Sequence, residues 1–296
     1  MHGDQKMIFF RQKFISKSFL ILVFIVSLVG FYISRFFSSS LRPIQRTGIT
    51  LSEIIESDTL NEIKSYLDDN STLVVFDLDN TLVMPRHEIG SEQWFRAILD
   101  QKKKEGFSGQ QAVQEIVPLY YQINCAIPLY LVEDCIPDLL ALLDEQKIPV
   151  IALTARSDLF KECTCKQLTN AGLKLPFKGF AGQHIRAEFE VPVEFIDGII
   201  YCGKNDKGHV LFYMLDNIGY VPKKIVVVDD KYHNLAAVER ACVERKIPFV
   251  GIRYSRLDEH VACFDVLKAE QELKEMFGYS LEESLALALQ QYGPMY

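Results

Sequence analysis

In Val74-Val75-Phe76-Asp77-Leu78-Asp79-Asn80-Thr81-Leu82-Val83, two carboxylates stand two residues apart directly after an apolar run, and Thr81 follows at the same interval. Burying an ionised acid is costly unless it meets a partner or a metal. A second pair of acids, Asp229-Asp230, follows the apolar run Ile225–Val228. Thr154 ends the run Val150–Leu153, and Lys207 sits in Asn205-Asp206-Lys207-Gly208. Acids that converge from different run ends make a hard-oxygen cage suited to Mg²⁺. A cation there offsets the repulsion between an anionic nucleophile and a phosphate monoester.

Convergence requires that the runs be neighbouring strands. Thr72–Leu78, Pro149–Leu153, Ile225–Val228 and Ile247–Ile252 read as buried strands, each followed by a helical stretch. Strands alternating with helices imply a parallel sheet covered on both faces, with ligands beyond the carboxyl ends of its strands. Asp77, Asp79, Thr154, Asp229 and Asp230 all fall at such ends. Asp197-Gly198 between apolar runs predicts a hairpin. Thr50-Leu51-Ser52-Glu53 and Thr59-Leu60-Asn61-Glu62 fit the capping box and predict two short helices before the first strand. Residues 91–145 read as helical, broken at Pro118, Pro128 and Pro137, and residues 266–291 as one or two helices.

The four motifs, in this order, resemble those of the haloacid dehalogenase superfamily: Asp77-x-Asp79-x-Thr81, then Thr154, then Lys207, then Asp229-Asp230 with Asn234. The resemblance spans about residues 72–252, and the whole chain is similar to a bacterial branch of that superfamily. It implies an α/β three-layer Rossmann-like fold with a central parallel sheet and a small helical cap inserted at about residues 84–148. It further implies Mg²⁺-dependent hydrolysis of a small phosphorylated substrate through an aspartyl-phosphate. By carry-over, Asp77 is the nucleophile, and Asp79 protonates the leaving alcohol and then activates water. Thr154 and Lys207 hold the phosphoryl oxygens. Asp77, the backbone carbonyl of Asp79, and Asp230 ligate the metal, supported by Asp229, Asn234 and Thr81. Either Asp229 or Asp230 can be the direct ligand, and Asp230 is preferred. An Asp at position 79 separates phosphatases and phosphomutases from the superfamily's ion pumps, which carry Thr there, and from its dehalogenases, which lack this acid. Phosphotransfer to another alcohol, a mutase, and a catalytically silent membrane-attached interaction protein are the alternatives; the intact acids count against the last.

Charge is unevenly placed. Residues 1–46 hold seven of the 32 Lys/Arg and one of the 39 acids, which leaves residues 47–296 at a net charge of −13. So acidic a body is unsuited to non-specific nucleic-acid binding. Phe19–Ile33 is a stretch of 15 uncharged residues. The chain therefore divides into a basic segment (1–18), a hydrophobic anchor helix or signal segment (19–37), a linker (38–49) and a catalytic domain (50–296). The expected location is a single-pass membrane protein with an exported domain, or a secreted or periplasmic one after signal cleavage.

The seven cysteines are irregularly spaced and read mostly as buried small apolar side chains. Lys204 competes with Lys207 for the third motif. Arg156 reads as either a substrate contact or a salt bridge, and His87 and Trp94 as packing or surface residues where the cap begins, with substrate contact as the alternative. His209 and His233 are not expected ligands. The Leu/Ala stripe of residues 281–289 reads as helix packing and Lys102-Lys103-Lys104-Glu105 as a solvated helix face.

Overall fold

A computed structural model of the protein describes residues 52–68, 70–173, 177 and 180–295. The hydrophobic segment expected at 19–37 and the linker after it lie outside the described residues. Among the described residues, no helix is long and apolar enough to cross a membrane.

The strands are β1 (Ser52–Ser57), β2 (Thr72–Phe76), β3 (Val83–Pro85), β4 (Leu129–Leu131), β5 (Val150–Thr154), β6 (His184–Ala187), β7 (Val193–Ile196), β8 (Ile199–Tyr201), β9 (Lys224–Asp229) and β10 (Phe249–Tyr254). The α-helices are α1 (Glu92–Lys104), α2 (Gly109–Ala126), α3 (Ile136–Glu145), α4 (Lys161–Asn170), α5 (Lys207–Asn217), α6 (Tyr232–Glu244), α7 (Asp258–Ala262), α8 (Val266–Phe277) and α9 (Leu281–Tyr292). One eight-stranded sheet runs in the order β1-β10-β9-β2-β5-β8-β7-β6. It is parallel from β1 to β8 and antiparallel at β7 and β6.

Because side chains alternate across a strand, β2 sends Val74 and Phe76 to one face and Leu73 and Val75 to the other. The first face packs on Leu60 and Ile63 of a 3₁₀ helix, on α3 through Leu139 and Leu143, and on Leu168 of α4. The second packs on Val210, Leu211 and Met214 of α5 and Leu235 and Val238 of α6. Each fully buried aliphatic side chain contributes about 1.5–3 kcal/mol, so both faces hold the sheet firmly. This is the three-layer α/β architecture expected from the sequence.

Three local expectations are corrected. Residues 52–57 form edge strand β1 rather than a helix; six residues pair in register with β10, from Ser52 opposite Phe249 to Ser57 opposite Tyr254. Backbone pairing along an open sheet edge outweighs the Thr50–Glu53 capping signal. The second capping signal is realised at a 3₁₀ helix, where Thr59 accepts a hydrogen bond from the Asn61 N–H at 3.3 Å. Pro118 does not break the helical region; it lies inside the 18-residue α2, buried beside Val117 and Leu119. Finally, only three of the seven cysteines are buried, Cys163, Cys202 and Cys242, while Cys125 and Cys263 are exposed; all are free thiols.

The stretch expected as an inserted cap divides in two. β3 and β4 pair antiparallel and form the stem of an insertion that carries α1 and α2. Beyond that stem, α3 joins the main core through Ile136, Leu139 and Leu143. Trp94, Ile98, Ile116, Leu119 and Ile123 of the insertion share a third apolar cluster with Ala269, Leu273, Leu285 and Ala288 of α8 and α9. The stripe at 281–289 is thus helix packing, and the C-terminal helices enlarge the helical layer. Glu272 fastens it by accepting the N–H groups of Glu88 at 2.7 Å and Ile89 at 3.2 Å.

Candidate active site

β2 lies between β9 and β5, so the carboxyl ends of all three strands open on one place. The Asp77 N–H donates to the Val228 carbonyl at 2.9 Å and ties the end of β2 to β9. The chain then turns tightly: Asn80 adopts a left-handed conformation (φ 60°), and the N–H groups of Leu82 and Val83 both donate to the Leu78 carbonyl. An Asn tolerates that conformation better than most residues.

At the start of α5 the Asp206 side chain caps the helix by accepting the His209 N–H at 2.9 Å. Gly208 lets the helix approach α6 closely, since a Cβ there would lie 2.2 Å from the Ala237 carbonyl oxygen. This packing delivers Lys207 into the interior, where it is 4% exposed. Its ammonium donates to Asp77 Oδ1 and to Asp229 Oδ2, both at 2.7 Å. Lys204 is instead exposed and pairs with Glu190.

Asp229 is saturated with donors: its Oδ1 also accepts the Lys231 N–H at 2.8 Å and the Asn234 amide at 2.9 Å. Asp230 accepts from the Lys231 ammonium at 2.8 Å. Carboxylate oxygens of Asp77, Asp229 and Asp230 lie within 4.8 Å of one another, and all three residues are buried. Burial raises the Asp77 pKa well above the usual carboxylate range; Lys207 opposes the shift, and Asp229 and Asp230 add to it. Burial likewise pushes Asp230 to about 6, against the pull of Lys231. Lys207 is held well above its ordinary value, because the attraction of Asp229 and Asp77 outweighs its desolvation. Three buried acids facing one another beside two ammonium groups are an oxygen-donor set that fits a small divalent cation.

Thr154 ends β5, fully buried; its Oγ1 accepts the Arg156 N–H at 3.1 Å, which leaves the hydroxyl proton to donate. Thr81 is fully buried, and its hydroxyl has no hydrogen-bond partner among the described residues. Asp79 is separated from the lysine cluster. Both of its oxygens accept from Arg156, at 2.8 Å from Nε and 2.7 Å from Nη2. Arg156 therefore makes the salt bridge that its sequence position allowed. Trp94 is buried in the insertion, stacked on Tyr120, while His87 faces Glu272 at 3.6 Å and His233 is exposed.

Glu92, Lys231, Gln167 and Tyr120 had no role in the sequence reading. Glu92 accepts from Lys231 at 3.3 Å and from the Asn80 amide at 3.5 Å. Lys231 follows the acid pair directly and could have been singled out from that position. Glu92, Gln167 and Tyr120 carry no local signal, because the fold alone brings them here.

Fold and site together define a three-layer α/β protein with a buried carboxylate–lysine centre at the carboxyl ends of its parallel strands. The chain belongs to the family described as "Protein of unknown function (DUF2608)", whose model matches residues 56–284. A relative in Chlamydia trachomatis named "Putative outer membrane protein" is 24% identical over 214 residues, which cover 70% of this chain and 78% of the relative. Similar solved structures include a "Putative Phosphatase" from Clostridium difficile (13% identity, 66% of this chain and 99% of that one, TM-score 0.41). Another is a haloacid dehalogenase-like family hydrolase from Streptococcus pneumoniae (16% identity, 66% and 98%, TM-score 0.37).

Proposed function

We propose that the protein is a phosphatase that hydrolyses a small phosphate monoester through a covalent intermediate on Asp77, with Mg²⁺ as its cofactor. One observation carries this reading: Asp77, Asp229 and Asp230 bring carboxylate oxygens within 4.8 Å of one another in a buried site that also holds Lys207. Buried acids in this number need cations, and a phosphoryl group is a ligand that needs them as well. Asp77 and Asp230, with the Asp79 backbone carbonyl, would hold the metal, while Asp229 orients Lys207 and is itself oriented by Asn234. When bound, the ion neutralises charge on the transferring group.

In this reading an Asp77 carboxylate oxygen attacks phosphorus, and the bond from phosphorus to the ester oxygen breaks. Asp79, having taken up a proton from solvent as the dianionic ester binds, gives that proton to the leaving oxygen. Lys207 and the Thr154 hydroxyl donate to the phosphoryl oxygens. Water then attacks phosphorus and passes a proton to Asp79, and the bond to Asp77 breaks, which restores both acids and releases inorganic phosphate. The acidity of residues 47–296 supports a small-molecule substrate rather than nucleic acid.

The test is turnover of para-nitrophenyl phosphate and a panel of phosphorylated metabolites by the full chain, with Mg²⁺ and with chelator. Mg²⁺-dependent release of phosphate that Asp77→Asn abolishes without unfolding the protein is expected. No turnover on any substrate, or turnover retained by Asp77→Asn, overturns the reading. A location at the cell envelope is supported by the uncharged stretch Phe19–Ile33 and by the name of the chlamydial relative, a "Putative outer membrane protein". Protease accessibility of the body in intact cells tests it; full protection in cells with a permeabilised outer layer counts against an exported domain.

A further inference from the structure

The Asp79 carboxylate is one end of a chain of hydrogen bonds that leads out of the site. Arg156 grips both of its oxygens and is itself buried, its side chain 8% exposed. The remaining guanidinium nitrogen, Nη1, donates to Thr164 Oγ1 and to Gln167 Oε1, each at 2.9 Å. Thr164 and Gln167 are buried on α4. The Gln167 amide nitrogen in turn donates to the backbone carbonyls of Asn124 at 2.6 Å and Ile127 at 3.0 Å. Those carbonyls belong to the last turn of α2 and the residue after it, where the insertion returns to its stem. Helix-end carbonyls lack partners within the helix, so Gln167 is their fastening to the body. All three nitrogens of the Arg156 fork, through four of its five N–H groups, and both functional ends of Gln167 are thereby engaged, and neither side chain can shift without breaking a buried bond.

We propose that Arg156 is a positioning residue for Asp79, and that Gln167 ties it to the insertion so that the seating of the insertion sets the orientation of the Asp79 carboxylate. This rests on the phosphatase reading, in which Asp79 serves the leaving group. A bidentate guanidinium fixes the plane of a carboxylate as a single-point contact does not. An insertion that lifts from the sheet pulls on Gln167, loosens Arg156 and releases that plane; one that settles restores it. Asp77, held by Lys207 on the other side of the site, is outside this chain of bonds.

The test compares kcat/KM of the full chain for phenyl phosphate, a poor leaving group, and para-nitrophenyl phosphate, a good one, in Mg²⁺. Arg156→Met is expected to lose at least about tenfold more on phenyl phosphate, a fraction of the roughly 10²–10⁴-fold that a proton-transferring group contributes. Arg156→Lys should lie between, and Gln167→Met should show the same selective loss in smaller measure. In an Asp79→Asn background, Arg156→Met should change kcat/KM by less than about twofold, since residues acting as one unit are not additive. Equal losses on the two substrates, or a loss that persists with Asp79→Asn, overturn the proposal and assign Arg156 to substrate binding or to folding alone. Hydrogen exchange gives a second readout that needs no turnover. Gln167→Met should raise exchange both at residues 124–131 and at residues 77–83; a change confined to α4 overturns the coupling. Absence of turnover by the unmodified chain bears only on the phosphatase reading, and the exchange measurement still decides the coupling.

Discussion

Lys207→Met offers a measure of the site's charge balance that does not depend on catalysis. Lys207 is 4% exposed and donates to two buried carboxylates, each at 2.7 Å. Methionine matches the apolar stem and removes only the ammonium. Opposite charges about 4 Å apart attract by roughly 4 kcal/mol at an effective dielectric near 20. Taking one partner from a buried pair costs about 3–5 kcal/mol, because the other charge is left uncompensated. For a domain of about 250 residues each kcal/mol moves the melting temperature by roughly 2–4 °C, so the variant should melt roughly 6–20 °C below the unmodified chain in chelator. Magnesium should then recover part of the loss, since a cation at a hundred times its Kd adds about 2.7 kcal/mol. The recovery should be at least as large in the variant, whose acid cluster has lost a competing positive charge. Thermal melts of both proteins in chelator and in a Mg²⁺ series supply all four numbers. A variant within about 2 °C of the unmodified chain in chelator, or one that Mg²⁺ does not stabilise, refutes the view that ionised acids here need cations.

Two further outcomes test the frame around the site. Gly208→Ala sets a methyl group 2.2 Å from the Ala237 carbonyl oxygen, so α5 must move away from α6 and take Lys207 with it. Overpacking of this kind costs about 1–3 kcal/mol, and a lowered urea midpoint together with lost turnover is expected, whereas Gly109→Ala, with nothing within 4 Å, should not destabilise. Glu194 is buried on β7 and accepts from Lys161 at 2.9 Å and from His184 at 2.7 Å. Burial raises its pKa, but those partners together bring it below the ordinary value. A depressed folded-state pKa gives stability that is present above about pH 4.3, the ordinary Glu value, and is lost as pH falls through the lower folded one. Glu194→Gln should therefore cost about 1–3 kcal/mol at pH 7, with the gap to the unmodified chain narrowing below about pH 4; a gap independent of pH in urea titrations sinks the assignment.

The centre of the fold was legible because its signals are local. β2, β5, β9 and β10 are apolar runs that both faces of a covered sheet require, and Asp197-Gly198 forms the hairpin turn with φ of 54° and 80°. Asp77, Asp229, Asp230, Lys207 and Thr154 could be singled out because polar residues at the ends of such runs have few other reasons to be there. The rest depends on contacts distant in sequence. β1 is a strand only because β10 offers it an edge. Pro118 is tolerated in α2 because packing of its neighbours compensates for a missing N–H. The joint core of the insertion with α8 and α9 brings together residues as far apart in sequence as Trp94 and Ala288, which no window along the sequence can reveal.

The two acids of the first motif show where spacing stops being informative. At i and i+2 they look equivalent, a pair aimed at one metal. The fold gives them opposite surroundings: Asp77 enters a cluster of carboxylates relieved by Lys207, and Asp79 is withdrawn from that cluster by Arg156. Their difference arises from partners contributed by α5 and by the loop after β5, 130 and 77 residues further along the chain. Arg156 was ambiguous in the sequence for the same reason, since an arginine two residues past Thr154 can equally reach a phosphate or a carboxylate. The structure commits four of that arginine's five N–H groups: Asp79 takes one from Nε and one from Nη2, and Thr164 with Gln167 takes both from Nη1. A guanidinium held by four bonds cannot turn towards an incoming phosphate without releasing Asp79, so its position is set by the carboxylate, and a ligand could meet no more than the second Nη2 proton while Asp79 stays fixed.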